Sequence, residues 1–190
     1  MATPTSKLKS KWKLFIPPLV ILVIVVGGLA AIKTTQKQSQ HSDFTVEISV
    51  GNSLPEFSLS PLNGPAVPIT KLKSKVTLVN FWASWCEACV EEMPSIAQVR
   101  QDFHSQGFEV LAINLDENPE TMIPKAVKQF NLEFPVFQDV DGQLAELFDV
   151  HAIPLSVVID ENRKILLIRS GGQDWNSPSF RTQLKKWLTE

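Results

Sequence analysis

The stretch Lys75–Ala83, KVTLVNFWA, restricts the fold more than any other. It is nearly all apolar and rich in β-branched residues, which suits a strand covered on both faces rather than one lying against solvent. Directly after it come Ser84, Trp85 and the run Cys86-Glu87-Ala88-Cys89. Beyond these, Val90, Met93, Ile96, Ala97 and Val99 give a helical core face. The chain therefore passes from a central strand straight into a helix, from about Cys86 to His104. Such a strand needs partners on both edges and helices on both faces.

The remaining sequence can supply them. Phe108–Leu115 (FEVLAINL) reads as the next strand, Thr121–Phe130 as a helix and Phe134–Gln138 as a strand fragment. Asp141-Gly142 starts a short helix through Phe148. Pro154–Ile159 and Lys164–Arg169 flank the turn Asp160–Arg163 and form an antiparallel hairpin. Ser177–Leu188 closes the chain as an amphipathic helix with a serine N-cap. Upstream, Phe44, Val46, Ile48 and Val50 alternate with polar residues, a strand signal. Phe57 and Leu59 alternate too, and Asn63-Gly64 offers a turn before an extended segment around Val67–Thr70. The expected class is α/β, a mixed sheet with helices on both faces.

The first quarter of the chain is different. Leu14–Ile32 is an uncharged apolar run of about 19 residues, enough to cross a bilayer as a helix. Lys7, Lys9, Lys11 and Lys13 precede it, while Lys33 and Lys37 follow, and this lysine bias puts the amino terminus in the cytoplasm. The expected organisation is a cytoplasmic tail over 1–13, a single-pass anchor over 14–32, a polar linker over 33–43 and one domain over 44–190. That domain lies on the periplasmic, extracytoplasmic side of the inner membrane. A cleaved signal peptide is the rival reading, because Gly28-Leu29-Ala30 is a small-x-small site. Both readings export the domain.

Cys86 and Cys89 are the only cysteines. A pair so close cannot staple distant parts of a fold, so it is a redox pair or half a metal site. At a helix amino terminus, unpaired N–H groups and partial positive charge stabilise a thiolate on Cys86. Cys86 is then the attacking sulfur, and Cys89, one turn in, resolves the mixed disulfide. This chemistry calls for no cofactor and no metal. A copper or zinc carrier using Cys86, Cys89 and His151 is an alternative, but one CxxC and a distant histidine are an incomplete ligand set. A scaffold with incidental cysteines is a third reading. The net charge of -2 argues against a nucleic-acid binder. His41 and His104 are expected to face solvent, as is the acidic loop Asp116, Glu117 and Glu120. Phe81, Trp82 and Phe134 are expected to pack in the core or a groove.

The segment NFWASWCEACVEEMP resembles the active site of thioredoxin-like proteins, most closely the membrane-anchored TlpA/ResA/CcmG (DsbE) family. Trp82, Trp85, Cys86, Cys89 and Pro94 fall on motif positions. The similarity runs from about residue 48 to the end, beginning with GNSLPEFSLSPLNG, which resembles the family's amino-terminal hairpin. It implies a thioredoxin-like fold with that hairpin and a central insertion, behind one transmembrane helix. It also implies a cis Ile153–Pro154 bond facing the cysteines, where the Ile153 backbone would pair with an extended substrate. Trp85 would lie beside the reactive sulfur. Pro94 should kink the active-site helix.

The chain departs from general thioredoxins at Asn80, where they carry a buried aspartate, so another group must handle the Cys89 proton. Glu92, one helical turn past Cys89, matches the acidic residue of ResA-like proteins; otherwise it is a solvated glutamate of the helix's first turns. Ala88 departs from the Glu-Pro dipeptide of that group. The implied activity is reduction of disulfides in exported proteins with cysteine pairs. The family points to apocytochrome c as substrate and to a transmembrane thiol carrier as electron donor. A general exported thiol reductase or oxidant is the alternative. Glu87, Glu91 and Glu92 bring negative charge near Cys86, disfavour the thiolate and tilt the pair toward the disulfide, which suits a reductant.

Overall fold

In the computed structural model, which describes residues 47–190, β3 (Val76–Trp82) is buried at every residue. It pairs in parallel with β4 (Phe108–Asn114) and antiparallel with β6 (Leu155–Asp160). Beyond β4 lies β5 (Val136–Gln138), parallel to it, then the hairpin of β1 (Ser58–Pro61) and β2 (Val67–Pro68). On the other side β7 (Ile165–Ser170) pairs antiparallel with β6. The mixed sheet thus runs β2-β1-β5-β4-β3-β6-β7.

Period-2 alternation divides the core into two layers. Leu78, Trp82, Val110, Ala112 and Val158 face one side, where α1 (Glu87–Phe103) contributes Met93, Ile96 and Val99 and α4 (Pro178–Thr189) contributes Leu184. Ala126 of α2 (Pro119–Phe130) joins the same layer. Val79, Phe81, Leu111, Ile113 and Val157 face the other side, against Phe57, Leu59, Phe148 and Leu144 of α3 (Gln143–Leu147). Each Val, Leu, Ile, Phe or Met among them contributes about 1.5–3 kcal/mol by leaving water. Asn80 is a polar residue in the middle of this apolar strand, and it is fully buried.

Two expectations change. Phe44 and Val46 lie outside the described residues, as do the tail, apolar run and linker. Glu47–Val50 is not a strand: Ser49 N donates to Glu47 O at 3.0 Å and Asn52 N to Ser49 O at 3.1 Å. The chain then meets the edge of β7, where Gly51 N donates to Ile165 O and Ile165 N to Asn52 O, both at 2.8 Å. These bonds satisfy part of an edge that would otherwise be open. The second change is at α2, which starts at Pro119, two residues early, because proline suits the first turn. Helix α1 runs on through Pro94. Among the described residues no helix is long and apolar enough to cross a membrane.

Candidate active site

Strand β3 ends at Trp82, and four residues carry the chain to α1. This short loop is tied down from β4. Leu115 N donates to Trp82 O at 2.9 Å, and the Asp116 carboxylate accepts from Ser84 N at 3.1 Å, Ser84 Oγ at 3.0 Å and Asn114 Nδ2 at 2.7 Å. Asp116 is therefore buried, not part of a solvated acidic loop. Its charge is matched by donors that the ends of β3 and β4 bring together.

Cys86 is the N-cap of α1, and its sulfur accepts from Cys89 N at 3.3 Å. The two sulfurs are joined as a disulfide, with Cα atoms 5.2 Å apart. Cys86 keeps 9% exposure and Cys89 none, so of the two residues only Cys86 reaches solvent. Ile153 O lies 3.8 Å from Cys86 Sγ. The disulfide sulfur has no proton to give, but a Cys86 thiol could donate to that carbonyl. The Ile153–Pro154 bond is cis. Trp85 stands 72% exposed beside Cys86.

Behind the cysteines, the loop after β7 closes over the first turns of α1. Gly171 N donates to Pro154 O at 2.9 Å. At Gly172 a Cβ would sit 3.3 Å from the Ala88 carbonyl oxygen, so the close approach favours glycine. Gln173 N then donates to Glu92 Oε2 at 3.0 Å and Trp175 Nε1 to the same oxygen at 3.1 Å. Asn80 Nδ2 donates to Glu92 Oε1 at 2.6 Å and to Ser156 Oγ at 2.9 Å. Glu92 is 3% exposed, which replaces the solvated-glutamate reading. Burial pushes its carboxyl above the ordinary value, against the three donors, which favour the charged form.

The model of the family described as Redoxin matches residues 49–184. The chain belongs to the Redoxin family. It is 31% identical over 164 residues to the thiol-disulfide oxidoreductase ResA of Bacillus subtilis strain 168, covering 86% of this chain and 88% of that one. Among solved structures, a Chlorobium tepidum chain assigned as the thiol:disulfide interchange protein DsbE matches with TM-score 0.67 and 31% identity, over 74% of this chain and 99% of that one. StoA from Bacillus subtilis matches with TM-score 0.55 and 27% identity, over 72% and 97%. This Redoxin-family chain is thus a TlpA/ResA/CcmG-like protein of thioredoxin-like fold, with thiol–disulfide oxidoreductase activity at Cys86 and Cys89.

The other sequence candidates fall elsewhere. His151 Nε2 pairs with Asp149 Oδ1 at 3.0 Å on the surface, away from any converging donor set among the described residues. His104 is half-exposed and lies 3.4 Å from Glu109 Oε2, while His41 is outside the described residues. Phe81, Trp82 and Phe134 are buried. Sequence reasoning missed Ser156, Gln173 and Trp175, the groups that build the Glu92 pocket with Asn80. Gly171-Gly172, with Trp175 three residues on, is the available signal for a loop in close approach.

Proposed function

We propose that this chain reduces disulfides in exported proteins, with Cys86 as nucleophile, Cys89 as resolving thiol and Glu92 as the proton acceptor for Cys89. The observation that carries this reading is the buried Glu92 carboxyl, one turn past the fully buried Cys89 and without a cationic partner among the described residues. A carboxyl so placed keeps its proton to higher pH than an exposed one and can accept one beside a thiol. The Cys86 thiolate attacks one substrate sulfur, forming a mixed disulfide and releasing the other as a thiolate. Cys89 gives its proton to Glu92 and attacks Cys86 Sγ. The intramolecular disulfide forms, and the second substrate thiolate leaves. Trp85 and the backbone at Ile153, before Pro154, offer the surface on which an extended substrate docks.

The apolar run 14–32 supports a tether that holds the domain outside the cytoplasm, beside a transmembrane thiol carrier that re-reduces it. Apocytochrome c is the proposed substrate, since its haem-attachment cysteines must be thiols before ligation. A Cys89→Ala variant tests the reading, because it stalls the reaction at the mixed disulfide on Cys86. Exported proteins with cysteine pairs, apocytochrome c among them, should be trapped. Recovery of no mixed disulfide, or of cytoplasmic proteins alone, would refute it.

A further inference from the structure

Two fully buried side chains carry a polar atom with no partner among the described residues, Asn80 at Oδ1 and Trp82 at Nε1. The first belongs to the residue that touches Glu92. Asn80 Nδ2 donates to both Glu92 Oε1 and Ser156 Oγ, so every bond the amide makes is on its nitrogen. The two carboxyl oxygens of Glu92 are not equivalent. Oε2 faces Gln173 N and Trp175 Nε1, which can only donate. A proton on Glu92 must therefore sit on Oε1, the oxygen that faces Asn80.

In the present orientation that proton would point at an N–H. A half-turn of the amide removes the conflict. Asn80 Oδ1 then accepts from protonated Oε1 and also from the Ser156 hydroxyl, which turns from acceptor to donor by rotating its O–H. Each orientation leaves one end of the amide unpaired, so neither traps the side chain. The 2.6 Å separation is shorter than most N–H···O bonds and inside the range of O–H···O bonds. We infer that Asn80 is a positioning residue whose amide reverses as Glu92 gains and loses its proton, so that both states are hydrogen-bonded.

The inference rests on the proton role proposed above for Glu92. The proton leaves the Cys89 thiol and binds Glu92 Oε1, the carboxylate becomes the acid, and the amide reversal moves no electrons. Every group that bonds the carboxyl is neutral: Asn80 from β3, with Ser156 from β6 behind it, and Gln173 N and Trp175 from the loop after β7. The titratable neighbours along the chain are Cys89 and Glu91 on α1 and Asp174 in that loop. Asp174 accepts from Asn176 N at 2.9 Å. No cation pairs with Glu92 among the described residues, so only the three neutral donors, opposed by burial, favour the charged form.

The test is NMR on the full chain labelled at asparagine and glutamate, followed across the Glu92 titration. Above the midpoint, nuclear Overhauser contacts should join the Asn80 amide protons to Ser156 and to Glu92. Below it they should vanish, with the same midpoint. Contacts that persist through the titration, or a Glu92 that does not titrate, would overturn the inference. Glu92→Gln gives a second reading, since its amide N–H permanently faces Asn80 and should hold the reversed orientation at every pH. An Asn80 in that variant that keeps its contact to Ser156 would also overturn it. Exchange kinetics of Glu92→Gln separate the two ideas. Unchanged rates with a reversing amide remove the proton role alone, and slowed rates with a fixed amide remove the Asn80 inference alone.

Discussion

Glu92 is a carboxyl that holds its proton more tightly in the folded protein than in the unfolded chain, and this has a measurable effect on stability. Its ordinary value of 4.5 is raised in the folded protein, with burial as the largest cause. Between the unfolded and folded values the native state holds a proton that the unfolded chain has released. Stability then falls as pH rises, with a slope approaching about 1.4 kcal/mol per pH unit for one proton. The contribution is complete below the unfolded value and is lost once pH passes the folded value. Glu92→Gln keeps an acceptor for Gln173 N and Trp175 Nε1 and carries no charge, so it lacks this dependence. Urea denaturation of both oxidised full-length proteins across a pH series measures the difference. Wild-type stability relative to the variant should fall through that window and be flat on either side. A difference that is flat throughout would mean that Glu92 does not titrate differently on folding. A rising difference would mean that the three donors outweigh burial.

Other outcomes follow from the same geometry. After reduction, alkylation at neutral pH should label Cys86 much faster than Cys89, because Cys86 caps α1 and meets solvent while Cys89 is sealed; mass spectrometry of the labelled peptides checks the order. Asp116→Ala strips an acceptor from Ser84 N, Ser84 Oγ and Asn114 Nδ2 and should cost roughly 1–3 kcal/mol in denaturant melts. It should also slow exchange at Cys86. Equilibration with glutathione buffers should give a reduction potential below about -200 mV, since exposed Glu87 and Glu91 oppose the thiolate; a value near -120 mV would make the protein an oxidant. A reporter fused after Glu190 should be active outside the cytoplasm and sediment with membranes, and a cytoplasmic signal would refute export.

The parts of the fold that were legible in the sequence are those set by local pattern. The apolar run of β3 announces a strand covered twice, and the spacing of Met93, Ile96 and Val99 announces the helix after it. At Glu47–Val50 the strand expectation fails because period-2 alternation marks extended chain, whether or not it finds a ladder. The chain turns at Glu47–Asn52 before meeting the β7 edge. Asp116 looks like a surface residue in the sequence because three acidic residues in a short loop suggest a solvated face. Its burial depends on Ser84, 32 positions away, which only the parallel pairing of β3 and β4 brings near.

Glu92 shows the same division more sharply. Its distance from Cys89 is a property of one helix and could be read from spacing. Its partners come from Asn80 on β3 and from Gln173 and Trp175, which lie 81 and 83 residues away. No local pattern could supply them. The chemistry of those partners is nevertheless what the proposed proton role of the carboxyl draws on. A lysine or arginine in the same pocket would hold Glu92 ionised and spoil it as a proton acceptor that must later return to its starting state. Purely apolar neighbours would hold it protonated and unable to accept at all. An amide, an indole and a backbone N–H lie between these limits, so burial and hydrogen bonding oppose each other and the proton can come and go. On the proposed reading, a buried asparagine in an apolar strand, an apparent defect in packing, serves a reversible proton site beside a dithiol.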